Sequence, residues 1–358
     1  MSFDKSYDII VVGAGPAGTN FARLVDSKRY GVLLVDGSAG KEKVCGGLIS
    51  PDAQGILAKY DISLPKDLLV SPQLFSVRTI DLSDGLTRYY RRSYMNVNRQ
   101  RFDRFFADMV PSSVEVMQGK CSSVERTEGG FSVSVGSFHF FCKYLVGADG
   151  ASSAVRRTLF GEREILKYTA VQQWFEAGEE NPYYSCIFDN ATSGGCSWIF
   201  FKDGRLVFGG AFDMERSRER FEDQKKKLVA LGIVPEEIFE HPLRTEACLV
   251  SRPRLCGGVF FGGGGAFLLG EAAGLISPSS FEGISYALAS SEALAEAFGT
   301  VDEGDILRRY KRSAVGLKLK VLVRCVKRPF MYNKILRRLV MKSGLTAIKL
   351  RKKEKSEK

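Results

Sequence analysis

Histidine is nearly absent from this 358-residue chain, which has only His139 and His241, far apart in sequence. That scarcity removes the residue most often used as metal ligand or general base, and each of the two reads as structural. The eight cysteines (45, 121, 142, 186, 196, 248, 256 and 325) include no Cys-x-x-Cys pair and no cluster with histidine. This excludes the usual zinc spacing and points to reduced thiols in a reducing compartment, with no metal site expected. No run of 18 apolar residues occurs; the nearest, Val259–Ile276, is interrupted by six glycines and Glu271, so no membrane-spanning helix is expected. A charged-then-apolar leader is also missing, since Met1–Lys5 runs directly into a strand-like segment, and the expected location is cytoplasmic. Acid is scarce in one region only: residues 308–358 hold 19 Lys+Arg against 2 Asp+Glu, leaving 33 against 39, a net −6, for the first 307. The basicity behind the overall +11 therefore belongs to the tail.

What is present is the composition of an ordinary globular protein, 44% apolar and 26% charged, long enough for two domains. Four β-branched residues, Ile9–Val12, run into Gly13-Ala14-Gly15-Pro16-Ala17-Gly18, and Thr19–Ser27 reads as a helix. In Gly-x-Gly-x-x-Gly one glycine makes the turn, one admits a pyrophosphate and one lets helix and strand pack closely, while the helix N-terminus offers N–H groups to the phosphates. A second strand, Gly31–Val35, ends in Asp36, where a ribose-binding carboxylate belongs. A bound dinucleotide is the expectation.

Along the chain, residues 51–59 read as a helix, Phe75–Leu82 as a strand, and Asn98–Asp103 opens a helix reaching about Met109. Val114–Lys143 alternates in three runs and predicts a β-meander over the first domain. Tyr144–Gly150 and the run Val259–Phe261, Gly262–Gly265 and Ala266–Gly274 are further buried strands ending in acid, at Asp149-Gly150 and Gly270-Glu271. Between them, Thr169–Phe212 is dense in aromatic strand-like runs, single members of which fill a core while the set suits the wall of an apolar pocket. A small-residue helix, Ser285–Phe298, is expected to pack against the first strand. Three acid-ending strands far apart in sequence suit one extended flavin dinucleotide.

Several motifs together resemble the geranylgeranyl reductase-like branch of the FAD-dependent reductases and hydroxylases of the aromatic-hydroxylase fold. They are Lys43-x-Cys45-Gly46-Gly47, Arg99-x-x-Phe102-Asp103, Gly147–Gly150 with Arg156, Trp198-x-Phe200-x-Lys202 before Gly209-Gly210, and Gly270–Gly274 with Pro278 and Glu282–Ile284. Within that branch, runs such as Val171–Phe175, Tyr184–Asn190 and Gly283–Leu288 are similar to the bacterial colicin M resistance oxidoreductases. The resemblance implies an α/β Rossmann-type FAD-binding domain in three parts (1–70, 94–165 and 251–300). It also implies an antiparallel substrate-binding sheet (166–250, with an excursion at 71–93) and a basic helical C-terminal region (301–358).

It further implies roles. Gly13, Gly15, Pro16, Ala17 and Gly18 would meet the pyrophosphate and Asp36 the adenosine ribose. Arg99, with Asp103 holding its helix, would face the pyrophosphate or adenosine. Asp149, Gly150, Gly270 and Glu271 would flank the cofactor, and Gly283 and Ile284 would present N–H groups to the flavin N1–O2 locus. Gly46 would let the loop approach the isoalloxazine. Cys45 would support the chemistry beside the flavin, with Lys41 and Lys43 favouring its thiolate; the alternative is a small residue packed on the cofactor. Trp174, Trp198 and Phe200 are the expected substrate-side residues. Glu271 stands where the branch commonly has Asp, and Phe201 where it commonly has Pro.

The expected function is an FAD oxidoreductase, with non-covalent FAD, that reduces C=C bonds of a lipophilic isoprenoid or polyprenyl compound. The alternatives are a flavin monooxygenase acting on an aromatic ring and a non-catalytic lipid-binding flavoprotein. A halogenase is disfavoured, because Ser197–Phe201 lacks its Trp-x-Trp-x-Ile-Pro segment. The electron donor would be NAD(P)H or a reduced protein, docking transiently. In the tail, Ile335, Leu336, Leu339 and Val340 fall on one helical face and Lys334, Arg337, Arg338 and Lys342 largely on the other. That pattern predicts peripheral binding to an anionic membrane surface at the inner face, and no nucleic acid.

Overall fold

In the computed structural model, which describes residues 3–38, 44–161, 165–178, 180–300 and 305–348, the run Ile9–Val12 is buried on both faces of strand β1 (Lys5–Val12). A strand buried on both sides belongs at the centre of a parallel sheet. Helix α1 (Pro16–Leu24) follows with Pro16 at its start, where a missing N–H costs nothing, then β2 (Val32–Asp36), β3 (Leu48–Ile49) and α2 (Pro51–Lys59). β4 (Leu74–Asp81) and β5 (Leu86–Asn96) precede α3 (Arg99–Asp108), β6 (Glu115–Gln118), β7 (Cys121–Thr127), β8 (Gly130–Val135), β9 (Phe138–Gly147) and α4 (Ala154–Phe160). Next come β10 (Ile165–Glu176), β11 (Tyr183–Phe188), β12 (Ser197–Lys202), β13 (Arg205–Phe212), α5 (Ser217–Ala230), α6 (Glu236–Glu240) and β14 (Arg244–Pro253). They are followed by β15 (Gly262–Gly263), β16 (Ala266–Leu268), α7 (Ile284–Phe298), α8 (Ile306–Ser313), α9 (Val315–Tyr332), α10 (Lys334–Ser343) and β17 (Ala347–Ile348).

The first of two compact units comprises residues 1–68, 97–168 and 248–327. Its sheet runs β15-β16-β9-β1-β2-β6, with β7 and β8 continuing antiparallel from β9. β16, β9, β1, β2 and β6 are mutually parallel. The expected meander is thus only half right: β6 pairs with β2, Leu33 opposite Glu115, and only β7–β9 are antiparallel. α1 ends at Leu24, three residues before the expected Ser27, because Val25 turns to extended backbone. α7 packs on α1 and not on the first strand: Asn20 donates to Leu288 O (3.2 Å) and Ser291 Oγ (2.7 Å), and Phe21 meets Phe298. The four-glycine run is a hairpin joining β15 to β16, with φ +57° at Gly264 and +83° at Gly265.

The second unit comprises residues 69–96, 169–247 and 328–358, so the basic C-terminal region expected as one piece divides after Lys327. The sheet order is β14-β10-β13-β12-β11-β4-β5-β17, antiparallel at β10–β13, β13–β12 and β12–β11 and parallel at β11–β4. Period-two alternation splits its aromatics. Phe175, Phe201, Phe208 and Phe212 share one face, which Phe221 of α5 and Phe239 of α6 cover; Trp174, Trp198 and Phe200 point to the other. In α10 the sequence-based face assignment fails at Arg337. Ile335, Leu339 and Val340 are exposed, whereas Arg337 is buried and bonds Asp81 through two nitrogens (2.7 and 3.0 Å) and Asn190 Oδ1 (2.8 Å). Lys334 and Arg338 both lie near Asp84. Asp81, also fully buried, needs the guanidinium more than a membrane surface could.

Candidate functional site

In the first unit the ends of β2, β1, β9 and β16 lie side by side at the carboxyl edge of the parallel strands, where open α/β sheets bind ligands. Gly13 leaves β1 with φ +107°, and its N–H donates to Val35 O (2.9 Å). A Cβ on Gly18 would stand 1.8 Å from Gly13 O, whereas a Cβ on Gly15 would meet nothing within 4 Å. Glycine is therefore needed at position 18 for packing, while position 15 leaves open space at the N-terminus of α1. No side chain caps that helix and no acid occupies its first turn, so Pro16, Ala17 and Gly18 lie where free N–H groups and the positive dipole end favour an anion.

Asp36, at the end of β2, accepts from Ser38 N (2.9 Å) and from Gln118 Nε2 (2.9 Å). Burial works against its charge, but these bonds prevail and hold the carboxyl below its ordinary range. Gln118, at the end of the neighbouring β6, was not singled out in the sequence, and only the parallel pairing Asp36–Gln118 reveals it.

Asp149 follows β9, whose end is fixed by Ala148 N donating to Val12 O (2.8 Å). Its Oδ2 accepts from Ala154 N (2.7 Å) and Val155 N (3.2 Å), the start of α4. Its buried Oδ1 has no hydrogen-bond partner, and burial pushes the carboxyl above its ordinary range despite bonds from Ser153, Val155 and Ala154. Gly150 turns the chain there with φ +69°. Buried Arg156 ties this corner to the next strand end, donating to Ala151 O (2.8 Å), Ala272 O (2.9 Å) and Glu271 O (3.3 Å).

Gly270 N donates to Ser290 Oγ (2.9 Å), and Glu271 Oε1 accepts from Ser251 N (2.7 Å). The methylene by which Glu271 exceeds the commoner Asp thus reaches a backbone donor on β14. Gly283 is the N-cap of α7 and Ile284 its first residue, with no capping side chain and no acid in the first turn.

Cys45 lies in a loop tied down by Val97 N donating to Gly47 O (2.9 Å); beside it, Gly46 is part-buried. Its Sγ accepts from Gly47 N (3.5 Å). Lys41 and Lys43, expected to act on this sulfur, fall outside the described residues. Arg99 meets it instead: the guanidinium is gripped by Asp103 through Nε (2.9 and 3.0 Å). Burial opposes its charge, but the Cys45 sulfur and the Asp103 carboxylate outweigh that and raise it. Arg99 thus sits against Cys45, a contact the sequence did not reveal, since 53 intervening residues separate them.

In the second unit, Trp174 Nε1 donates to Glu246 Oε2 (2.8 Å), Gln172 Nε2 donates to the same oxygen (3.1 Å), and Trp198 Nε1 donates to Gln172 Oε1 (3.2 Å). Gly209, opposite Trp198 on β13, is glycine because a Cβ would stand 2.5 Å from the indole nitrogen. Phe200 stacks near Tyr184, and the buried Lys202 ammonium lies 5.9 Å from the rings of both Trp174 and Phe200. The structure brings all three substrate-side candidates to one sheet face, together with Lys202 of the same Trp198-x-Phe200-x-Lys202 motif, and adds Gln172 and Glu246, which residue type alone did not mark.

The residues at the carboxyl edge suit FAD: open space beside Gly15, unused N–H groups of α1 and the buried, unpartnered Asp149 Oδ1. Comparison with known proteins agrees. The FAD binding domain family matches residues 130–314, over half of the chain. Protein CbrA of Escherichia coli O6:H1 is 40% identical over 354 residues, covering 96% of this chain and 95% of that one; Protein CbrA of Shigella sonnei is 39% identical over 96% of this chain and 98% of its own. Among solved structures, a geranylgeranyl bacteriochlorophyll reductase-like protein from Thermoplasma acidophilum superposes with a TM-score of 0.76 at 20% identity, covering 94% of this chain and 91% of that one. PqsL of Pseudomonas aeruginosa, solved with 2-aminobenzoylacetate, gives 0.74 at 16% identity over 94% and 100%. The chain therefore belongs to the FAD binding domain family and is a relative of the CbrA proteins, has the aromatic-hydroxylase fold, and takes FAD as its cofactor.

Proposed function

We propose that the protein reduces C=C bonds of an isoprenoid or polyprenyl substrate. The observation that carries this reading is the Cys45–Arg99–Asp103 contact, which suits a proton donor better than a monooxygenase pocket. Bound FAD in its reduced form supplies the hydride equivalent. Cys45 supplies the proton that completes the saturated carbon, and Arg99, fixed by Asp103, stabilises the thiolate left behind until solvent reprotonates it. NAD(P)H or a reduced protein restores the electrons. Trp174, Trp198 and Phe200 offer aromatic surface to an apolar chain, with Glu246 holding the Trp174 indole in place. Gly13, Gly15, Asp36, Asp149, Glu271, Gly283 and Ile284 orient the cofactor. The fold's likeness to the geranylgeranyl bacteriochlorophyll reductase-like protein of Thermoplasma acidophilum is in line with this chemistry. A lipophilic substrate also suits a protein resting on an anionic membrane surface, which the exposed Ile335, Leu339 and Val340 of α10 favour.

The test is anaerobic. Protein-bound FAD is bleached with dithionite, and a polyprenyl compound is added. Return of the oxidised flavin spectrum with formation of the saturated product supports the reading. Reoxidation that requires O2 and yields a hydroxylated aromatic would replace it with a monooxygenase, and lipid binding without reoxidation would leave a non-catalytic carrier.

A further inference from the structure

Helix α9 carries a second amphipathic surface, in the first unit, that the composition of the tail does not reveal. Val315, Leu319, Val323 and Val326 recur at intervals of four, four and three, within an arc of roughly 80° on an α-helix. They are 61%, 60%, 45% and 60% exposed. Large apolar side chains at that exposure are ordinary singly but not as a continuous stripe. Exposed Lys318 and Lys327 flank the stripe on its two sides, and residues 306–327 hold eight cations and no acid.

The opposite face of α9 is anchored. Val321 is fully buried, and Lys320 and Arg324 both reach Asp52 Oδ2 in the first turn of α2 (2.8 and 3.0 Å). Arg324 also lies over the ring of Tyr286, the third residue of α7, and Cys325 Sγ donates to Pro253 O (3.6 Å). The exposed stripe therefore belongs to a helix fastened on its inner side, not to a frayed end. Among the described residues no helix is long and apolar enough to cross a membrane, which leaves an orientation in the plane of the interface.

We propose that α9 is a membrane-docking helix: the stripe Val315–Leu319–Val323–Val326 enters the headgroup–acyl boundary of an anionic leaflet, and Lys318 and Lys327 engage its phosphates. Charge selects this occupant. A second copy of the chain would set the flanking Lys318 and Lys327 against their own equivalents, whereas an anionic leaflet neutralises them. The inference extends the membrane reading above, which rested on α10, and moves the principal contact onto the unit that holds FAD, next to the start of α7.

The test uses the full-length FAD-loaded protein and vesicles of phosphatidylglycerol with phosphatidylethanolamine, against phosphatidylcholine alone. Three forms are compared by co-flotation: wild type, Leu319→Asn/Val326→Asn, and Ile335→Asn/Leu339→Asn. All four positions are exposed, and melting temperature and FAD content verify folding. Wild type should float with anionic vesicles only, and less so as salt rises. The α9 variant should bind at least tenfold more weakly. If the α9 variant floats like wild type while the α10 variant does not, the docking helix is overturned and the tail reading stands. If wild type does not bind anionic vesicles, both are overturned. A concentration-dependent dimer in lipid-free solution, abolished by Leu319→Asn/Val326→Asn, would overturn the proposal in favour of self-association.

Discussion

The carboxyl edge of the first unit and the aromatic face of the second are made of different materials. Along the edge, recognition falls to backbone N–H groups, to space left by missing Cβ atoms, and to carboxylates at strand ends. On the aromatic face it falls to side chains, held by a Glu246–Gln172–Trp198 chain of hydrogen bonds. A backbone-built site demands glycine at fixed spacing, so different ligand chemistries cannot erase its pattern. A side-chain-built site changes its ligand with one substitution. The cofactor follows from the first region, while the substrate remains a proposal from the second.

The sharpest way to break this contrast is a pair of single-methyl additions. Gly18→Ala places a Cβ 1.8 Å from Gly13 O, so it should lower folding stability by more than about 4 kcal/mol, read from the urea midpoint. Gly15→Ala puts the same methyl where nothing lies within 4 Å. Its apo stability should match wild type while its FAD affinity falls at least tenfold in a fluorescence titration, because the methyl takes space meant for the pyrophosphate. Wild-type FAD affinity in Gly15→Ala would move the pyrophosphate elsewhere.

In the second unit the largest expected effect comes from a charge. Arg337→Met leaves Asp81 buried without its guanidinium, which should cost about 3–5 kcal/mol, measured by denaturant unfolding. Asp81→Asn in the same chain should recover much of that loss. A cost below about 1 kcal/mol would mean the pair behaves as a surface ion pair.

These two cases also separate what could be read in the sequence from what could not. β1, α1, β2, α2 and α3 were legible because apolar runs, a Pro at the helix start and a capping Asn98 act on their immediate neighbours. The acid-ending strands were legible only in part: β2 does end on Asp36, but β9 stops at Gly147 before Asp149, and β16 stops at Leu268, with Glu271 in a 3-10 turn beyond it. Arg337 was misread because amphipathic periodicity shows which side is polar and not which side faces inward; the deciding partner, Asp81, lies 256 residues away. Gln118 beside Asp36, Arg99 against Cys45, and Ser251 on Glu271 escaped for the same reason. Each depends on strand order or on a loop's path, which local pattern does not encode.

One side-chain device does occur in the first unit, and it sharpens the comparison. Under the proposed chemistry, Cys45→Ser should keep FAD content and melting temperature near wild type while lowering kcat by on the order of 10². Arg99→Gln should lower kcat less, with FAD content unchanged, because the thiolate left by the proton transfer loses its cation. Full turnover in Cys45→Ser would leave Cys45 as part of the pocket wall.

The smallest expected effect is the dependence on pH, and it has opposite signs in the two units. In the second unit Asp189 is held below its ordinary range. Burial opposes this, but bonds from Lys227 (2.8 Å) and Thr192 (2.7 Å) prevail. A depressed carboxyl adds stability above the unfolded value of about 3.9 and loses it as pH falls through the folded one. Asp189→Asn should therefore cost about 1–2 kcal/mol at pH 7 and shrink that difference toward pH 3. In the first unit Asp149 is raised, so its contribution is favourable in acid and is lost as pH rises through the folded value. At pH 7 the raised carboxyl is a net cost to folding, tolerated by an edge where Oδ1 has no partner. Asp149→Asn keeps an oxygen to cap α4 and should leave the apoprotein as stable as wild type or more so at pH 7, with the advantage vanishing near pH 4. Thermal melts of the two variants across pH 3–8 read both signs, and a loss of neutral-pH stability in Asp149→Asn as large as in Asp189→Asn would erase the distinction between a strand end kept for a ligand and one kept for the fold.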